Sequence, residues 1–232
     1  IKRNTSPRFW SALYQQNPTP DEGMFFTRQQ FLPMSEPPNP QDMFVFQAWD
    51  FAVTTKTRSN YTVGITGYLD HNDDLIVLDV VRGKGGGGWI ASTMISAFKR
   101  WKPMQVAVEK GQIWDSITSF VQKRMLEERQ YIPITPMQPI KDKEARAKPL
   151  QGRMEQGKVK FWPKSPWLEA LMTEMLQFPA GENDDQVDAF AWLAQLALRA
   201  APPRVAPQPV RVKSWKDRLR SLGHEAVSHM AA

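Results

Sequence analysis

The sequence predicts a mixed α/β fold: a five-stranded sheet of three antiparallel strands followed by αβαβ, flanked by helices. Three observations carry this. Residues 43–52 (MFVFQAWDFA) are an apolar run rich in aromatic and β-branched side chains that ends on an acid, Asp50. Residues 61–69 (YTVGITGYL) and 75–81 (LIVLDVV) are two more such runs, separated only by DHNDD, which reads as an antiparallel meander. From residue 89 onward, amphipathic helical segments alternate with short apolar runs.

In order, residues 1–41 are proline-rich with little periodicity and read as a lead-in that wraps the domain rather than as a domain. Residues 43–52, 61–69 and 75–81 are the first three strands. RGKGGGG at 82–88 reads as a loose connector. It is not a phosphate-binding P-loop, because Lys84 is followed by glycines instead of Ser or Thr. Residues 89–101 place Ile90, Met94, Ile95 and Phe98 on one helical face. A fourth strand at 104–108 stops at Glu109, and a helix follows over 114–129. Residues 131–135 (YIPIT) form a fifth strand, which Pro133 puts at an edge. Residues 140–156 are basic and partly helical, 157–162 (GKVKFW) a short strand or hairpin piece, and 167–176 a helix. GENDDQVDA at 181–189 opens a strongly apolar last helix that runs to Leu198. A Pro/Ala linker and a basic tail fill 200–232, so the domain itself spans 42–199.

Composition excludes several classes. With no cysteine there are no disulfides and no thiolate metal sites, and only His71, His224 and His229 are present, which argues against a zinc enzyme. No apolar run is long enough to span a bilayer, and no membrane role is expected. A formal net charge of +6 favours a polyanionic partner.

The acids sit at informative places. Asp50 closes the first strand, Glu109 closes the fourth, and Asp184, Asp185 and Asp188 lie in the first turns of the last helix. At 100° per residue, the three late aspartates fall within an arc of about 100°. Val187, Phe190, Ala191 and Ala194 pack that helix against the sheet, so its acids point towards the strand ends. Carboxylates from separate elements suit hard divalent cations. Two such ions about 4 Å apart activate water and stabilise the leaving oxygen in phosphodiester hydrolysis. Each acid also has a plainer reading: Asp50 as a structural acid bonded to amides, Glu109 as a surface residue, Asp184 and Asp185 as helix caps that offset the dipole. The capping reading is adopted for Asp184. Asp70, Asp73 and Asp74 are turn residues without a catalytic role.

The motifs AWDFA at 48–52, VEKG at 108–111 and NDDQVDA at 183–189, in this order, resemble the nuclease domain of the large terminase subunit of tailed bacteriophages, which is RNase H-like (RuvC-like). GRMEQGKVKF at 152–161 and YQQNP at 14–18 are similar to further family segments, so the resemblance spans about residues 9–198. It implies a metal-dependent endonuclease that cuts double-stranded DNA with little sequence specificity. Asp50, Glu109 and Asp185 would be the catalytic acids, holding two Mg²⁺ or Mn²⁺ ions, with Asp188 as a further metal ligand. Which late aspartate is the third ligand stays open. Lys141, Lys143, Arg146, Lys148, Arg153 and Lys158 are candidate DNA contacts, against the plainer reading of a solvated basic face. The resemblance further implies an ATPase domain in the full-length protein, a portal ring and a small terminase subunit as partners, and the host bacterial cytoplasm as the setting. Two positions depart from the family pattern: Ser59-Asn60 where an aspartate is usual, and Asn183 where a histidine is usual. Another RNase H-fold nuclease, such as a junction resolvase or integrase, and a non-catalytic nucleic-acid-binding module are the alternatives.

Overall fold

The computed structural model describes residues 24–41, 43–52 and 61–200. The YQQNP segment, Ser59-Asn60 and the C-terminal tail lie outside the described residues. One seven-stranded sheet organises the chain, in the order β1-β7-β4-β3-β2-β5-β6. β2 (Phe44–Asp50), β3 (Thr62–Leu69) and β4 (Leu75–Gly83) form the antiparallel meander. β5 (Gln105–Glu109) lies parallel to β2, and β6 (Ile134–Met137) lies parallel to β5 at the edge. Two short strands extend the expected five: β7 (Val159–Phe161), parallel to β4, and β1 (Leu32–Pro33), parallel to β7.

Each face of the sheet has its own helical layer. α1 (Gly87–Trp101) and α2 (Gln112–Glu128) cover Trp49, Phe51, Val106 and Val108 with Ile90, Met94, Ile95, Ile117 and Val121. α3 (Lys143–Glu155), α4 (Leu168–Gln177) and α5 (Asp185–Arg199) cover Phe46, Ala48, Val63, Ile65 and Ala107 on the other side. α5 has 12 buried residues among its 15, so it is the central helix of that layer, packed on the sheet and on its neighbours. Phe26 is wholly buried in the same core and packs edge-on against Phe25, so residues 25 and 26 of the lead-in sit on the domain.

The glycine stretch is not the loose connector that its composition predicts. β4 continues to Gly83 and α1 begins at Gly87, leaving three residues between. A Cβ at Gly83 or Gly85 would come within 2.5 or 2.6 Å of the Trp89 indole, so these glycines let that ring lie on the backbone. The fifth strand also begins later than expected, at Ile134 instead of Tyr131, with Pro136 inside it; an edge position tolerates a residue that donates no ladder bond.

Trp49 is wholly buried, and its Nε1–H donates to Gln47 Oε1 (2.8 Å), while Gln47 Nε2 donates to Thr66 Oγ1 (2.9 Å). The indole lies over Gly64, where a Cβ would meet three ring carbons at 2.7 Å. A ring fixed by a buried hydrogen bond cannot move aside. Gly64→Ala is therefore expected to destabilise the chain by about 1–3 kcal/mol, read as a lower denaturation midpoint with an unchanged slope.

A candidate metal centre at one end of the sheet

Strand register places the two strand acids side by side. Ala48 pairs with Ala107 and Trp49 with Val108, so one step further Asp50 stands beside Glu109. Asp50 also pairs with Val63, and Val63 with Arg82. Directly paired residues share a face of the sheet, so Glu109, Asp50, Val63 and Arg82 form a row on the face that α5 covers. α5 reaches this row with its N-terminal turn, because Val187, Phe190, Ala191 and Ala194 are wholly buried against the sheet and bring Asp185 and Asp188 with them.

Each late aspartate has its own partner. Asp185 Oδ2 accepts a hydrogen bond from the Tyr61 amide (3.1 Å), which ties α5 to the start of β3. Asp188 Oδ2 lies 2.5 Å from Arg146 Nη2, while Arg146 Nη1 lies 3.1 Å from Glu109 Oε2. Asp184, expected to cap α5, makes no side-chain cap and instead forms an ion pair with Lys143. The cap comes from elsewhere: Glu174, buried on α4, accepts from both the amide and the side chain of Gln186 at 2.6 Å and pairs with Arg82 at 3.4 Å.

The electrostatics record the crowding of the acids. Burial holds Asp50 well above the ordinary carboxylate range, and the negative charges of Asp188, Asp185 and Glu109 push the same way, against Arg146. Asp185 is raised chiefly by burial, opposed by the Tyr61 amide. Burial lifts Asp188 to about 6 and outweighs the lowering effect of Arg146. Above that pH the Arg146–Asp188 contact is a full ion pair.

The donor set suits a hard divalent cation: four carboxylates from three elements, with Asp188 Oδ1 buried and without a protein partner. The acids are not yet gathered as ligands. Among the described residues, no three Asp, Glu, His or Cys side chains are grouped so as to hold a metal ion. Like charges repel, and the Arg146 fork occupies one oxygen each of Glu109 and Asp188.

The expected basic face is divided between two ends of the molecule. Lys143 and Arg146 stand at the acid end. Arg153, about 10 Å further along α3, bonds the Asp73 carbonyl (3.0 Å) and carboxylate (3.2 Å) in the β3–β4 turn at the opposite end. Lys158 is beside it, 3.2 Å from Asp74. Arg146 and Arg153 are buried and ion-paired within the domain. Lys141 and Lys148 are exposed. The sequence reading missed Arg82 and Lys84, which lie 3.8 and 4.3 Å from the centre of the Tyr61 ring beside Asp185. Extending the third strand by two residues would have put Arg82 in the row with Asp50.

The family described as the terminase RNase H-like domain matches residues 47–196. The chain belongs to that family. Among solved structures, the P22 large terminase nuclease domain is similar over 78% of this chain and 95% of its own, with a TM-score of 0.54 and 14% identity. The large terminase nuclease of thermophilic phage G20c, with bound magnesium, covers 71% and 91%, with a TM-score of 0.52 and 17% identity. The human cytomegalovirus terminase nuclease domain, manganese-soaked and inhibitor-bound, covers 74% and 94%, with a TM-score of 0.52 and 13% identity. These likenesses establish the shared fold. No curated protein sequence matches the chain. No helix among the described residues is long and apolar enough to cross a membrane.

A group whose native pKa is raised holds its proton more tightly when folded. The stability this gives is present below the unfolded value, about 4, and is lost as pH rises through the native one. For Asp188 that loss runs up to about pH 6. In chelator, the melting temperature of the chain relative to its Asp188→Asn variant is expected to fall as pH climbs through this window, measured by parallel thermal melts.

Proposed function

We propose that this chain is a metal-dependent endonuclease domain of a DNA-packaging terminase that cuts double-stranded DNA with little sequence specificity by two-metal-ion hydrolysis. The observation that carries the reading is the row Glu109–Asp50 meeting Asp185 and Asp188 at one end of the sheet, in a chain of the terminase RNase H-like family. Asp50, Glu109 and Asp185, with Asp188, are the residues that would hold Mg²⁺ or Mn²⁺, and the bound magnesium of one structural neighbour and the manganese soak of another support that choice. Bound cations would neutralise the scissile phosphate and activate water. The chain's own residues do the rest. Buried β2 and α5 fix the carboxylates, and Arg82, Lys84, Lys141 and Lys143 are basic groups at the acid end that can hold flanking phosphates without reading bases.

The functional unit we infer is 42–199, with 1–41 as lead-in and 200–232 as an appended basic segment. Duplex DNA is the substrate. An ATPase domain, a portal ring and a small terminase subunit are the proposed partners, in the host cytoplasm.

A second reading, a nucleic-acid-binding module without catalysis, is favoured by Arg146 bridging two of the acids and by Asn183 where the family usually has histidine. Supercoiled plasmid with Mn²⁺ separates the two. The nuclease nicks and linearises it, chelator stops this, and Asp50→Asn or Glu109→Gln lowers the rate by more than about a hundredfold. Both variants should still bind duplex in chelator, more weakly as salt rises. Plasmid left intact by the unaltered chain would select the binding module.

A further inference from the structure

Arg146 is placed unlike any other cation among the described residues. It lies in the first turn of α3, whose start is fixed by Asp142 accepting from the Ala145 amide (3.1 Å). Its side chain is 8% exposed. A guanidinium fork ordinarily grips one carboxylate with two parallel bonds. Here the fork is split: Nη1 goes to Glu109 on β5 and Nη2 to Asp188 on α5. The fit is incomplete on both sides, since Arg146 Nε and Asp188 Oδ1 are buried without protein partners. Arg153, the other buried arginine of α3, also leaves its Nε without a protein partner, but its fork is placed differently. Its two terminal nitrogens both hold Asp73 in a surface turn, a local clamp remote from the acids.

We propose that Arg146 is a built-in counter-cation of the acid cluster, a guanidinium that bridges Glu109 and Asp188 until a divalent cation takes those oxygens, and that it thereby sets the cluster's affinity for metal. The inference rests on the metal-site reading above. A guanidinium and a hard cation compete for the same carboxylate oxygens, and they repel each other when both are present. At a separation of a few ångströms, even with the full screening of water, removing one positive charge tightens binding of a divalent ion by about tenfold. If Arg146 were instead a brace that keeps Glu109 in position to ligate, removing it would weaken metal binding. The two roles have opposite signs.

The test is calorimetric titration of the DNA-free chain with MnCl₂ at neutral pH, comparing the unaltered protein with Arg146→Gln and Arg146→Lys, with circular dichroism on each. Arg146→Gln is expected to bind Mn²⁺ about tenfold more tightly and to gain more melting temperature on metal addition. Arg146→Lys, which keeps the charge, is expected to stay near the unaltered affinity. Equal or weaker binding by a folded Arg146→Gln variant overturns the proposal while leaving the metal site standing. Absence of binding in every protein overturns both. Should Arg146→Gln not fold, the ¹⁵N side-chain resonance of Arg146, assigned with the Lys variant, decides the matter in the unaltered chain. Saturating Mg²⁺ shifts or broadens it if the bridge is released, and an unchanged resonance refutes the proposal.

Discussion

Carboxylates crowded at the edge of an apolar core repel one another and lose hydration, and that cost governs the end of the sheet where β2, β5 and α5 meet. Asp50 is held there by the strand, with Glu109 beside it in register and Asp185 and Asp188 lowered onto it by the helix. The fold offsets the crowding in three ways. The Tyr61 amide bonds Asp185, Arg146 bridges Glu109 and Asp188, and Lys143 neutralises Asp184. None of these removes the strain on Asp50, whose carboxyl stays raised by burial and by its neighbours. A carboxyl held in this state supports the proposed metal-site reading.

The core supplies the force that keeps the acids together. α5 is buried nearly all round, so its position on the sheet is fixed by Val187, Phe190 and Ala194 and not by its polar end. The polar end is then secured from a separate helix. Glu174 on α4 meets the Gln186 amide, one of the donors that a helix N-terminus leaves unsatisfied, and Arg82 on β4 meets Glu174. Strand, helix and sheet edge are thus linked through Arg82–Glu174–Gln186 next to the acid row. Removing the apolar face of α5 would release its acids as surely as mutating them.

What could be read from the sequence follows the range of the interaction. Asp50 and Glu109 were legible because apolar runs end on them, and period-two alternation fixes their face once β2 and β5 are paired. The late aspartates were legible because α5 is long and strongly apolar. β7 lies within 157–162, which reads as a short strand or hairpin piece, whereas β1 spans two residues, too short to carry a period, and exists only because β7 offers it an edge. Arg82 was hidden by the glycines after it, which were read as a loop though two of them admit the Trp89 ring. No motif in the sequence singles out Glu174, and its burial follows only from how α4 meets α5. The basic run was legible as composition but not as a surface, because α3 carries its charges from the acid end to the opposite turn.

The central claim is that Asp50, Glu109 and the α5 aspartates form one receptor for divalent cations. Crystals of the chain soaked in Mn²⁺ and measured at a wavelength where manganese scatters anomalously test it most directly. The account predicts anomalous peaks within coordinating distance of the Asp50 carboxylate, shared with Glu109 and with Asp185 or Asp188. Fully occupied manganese bound only elsewhere, with that group of acids bare, would contradict it.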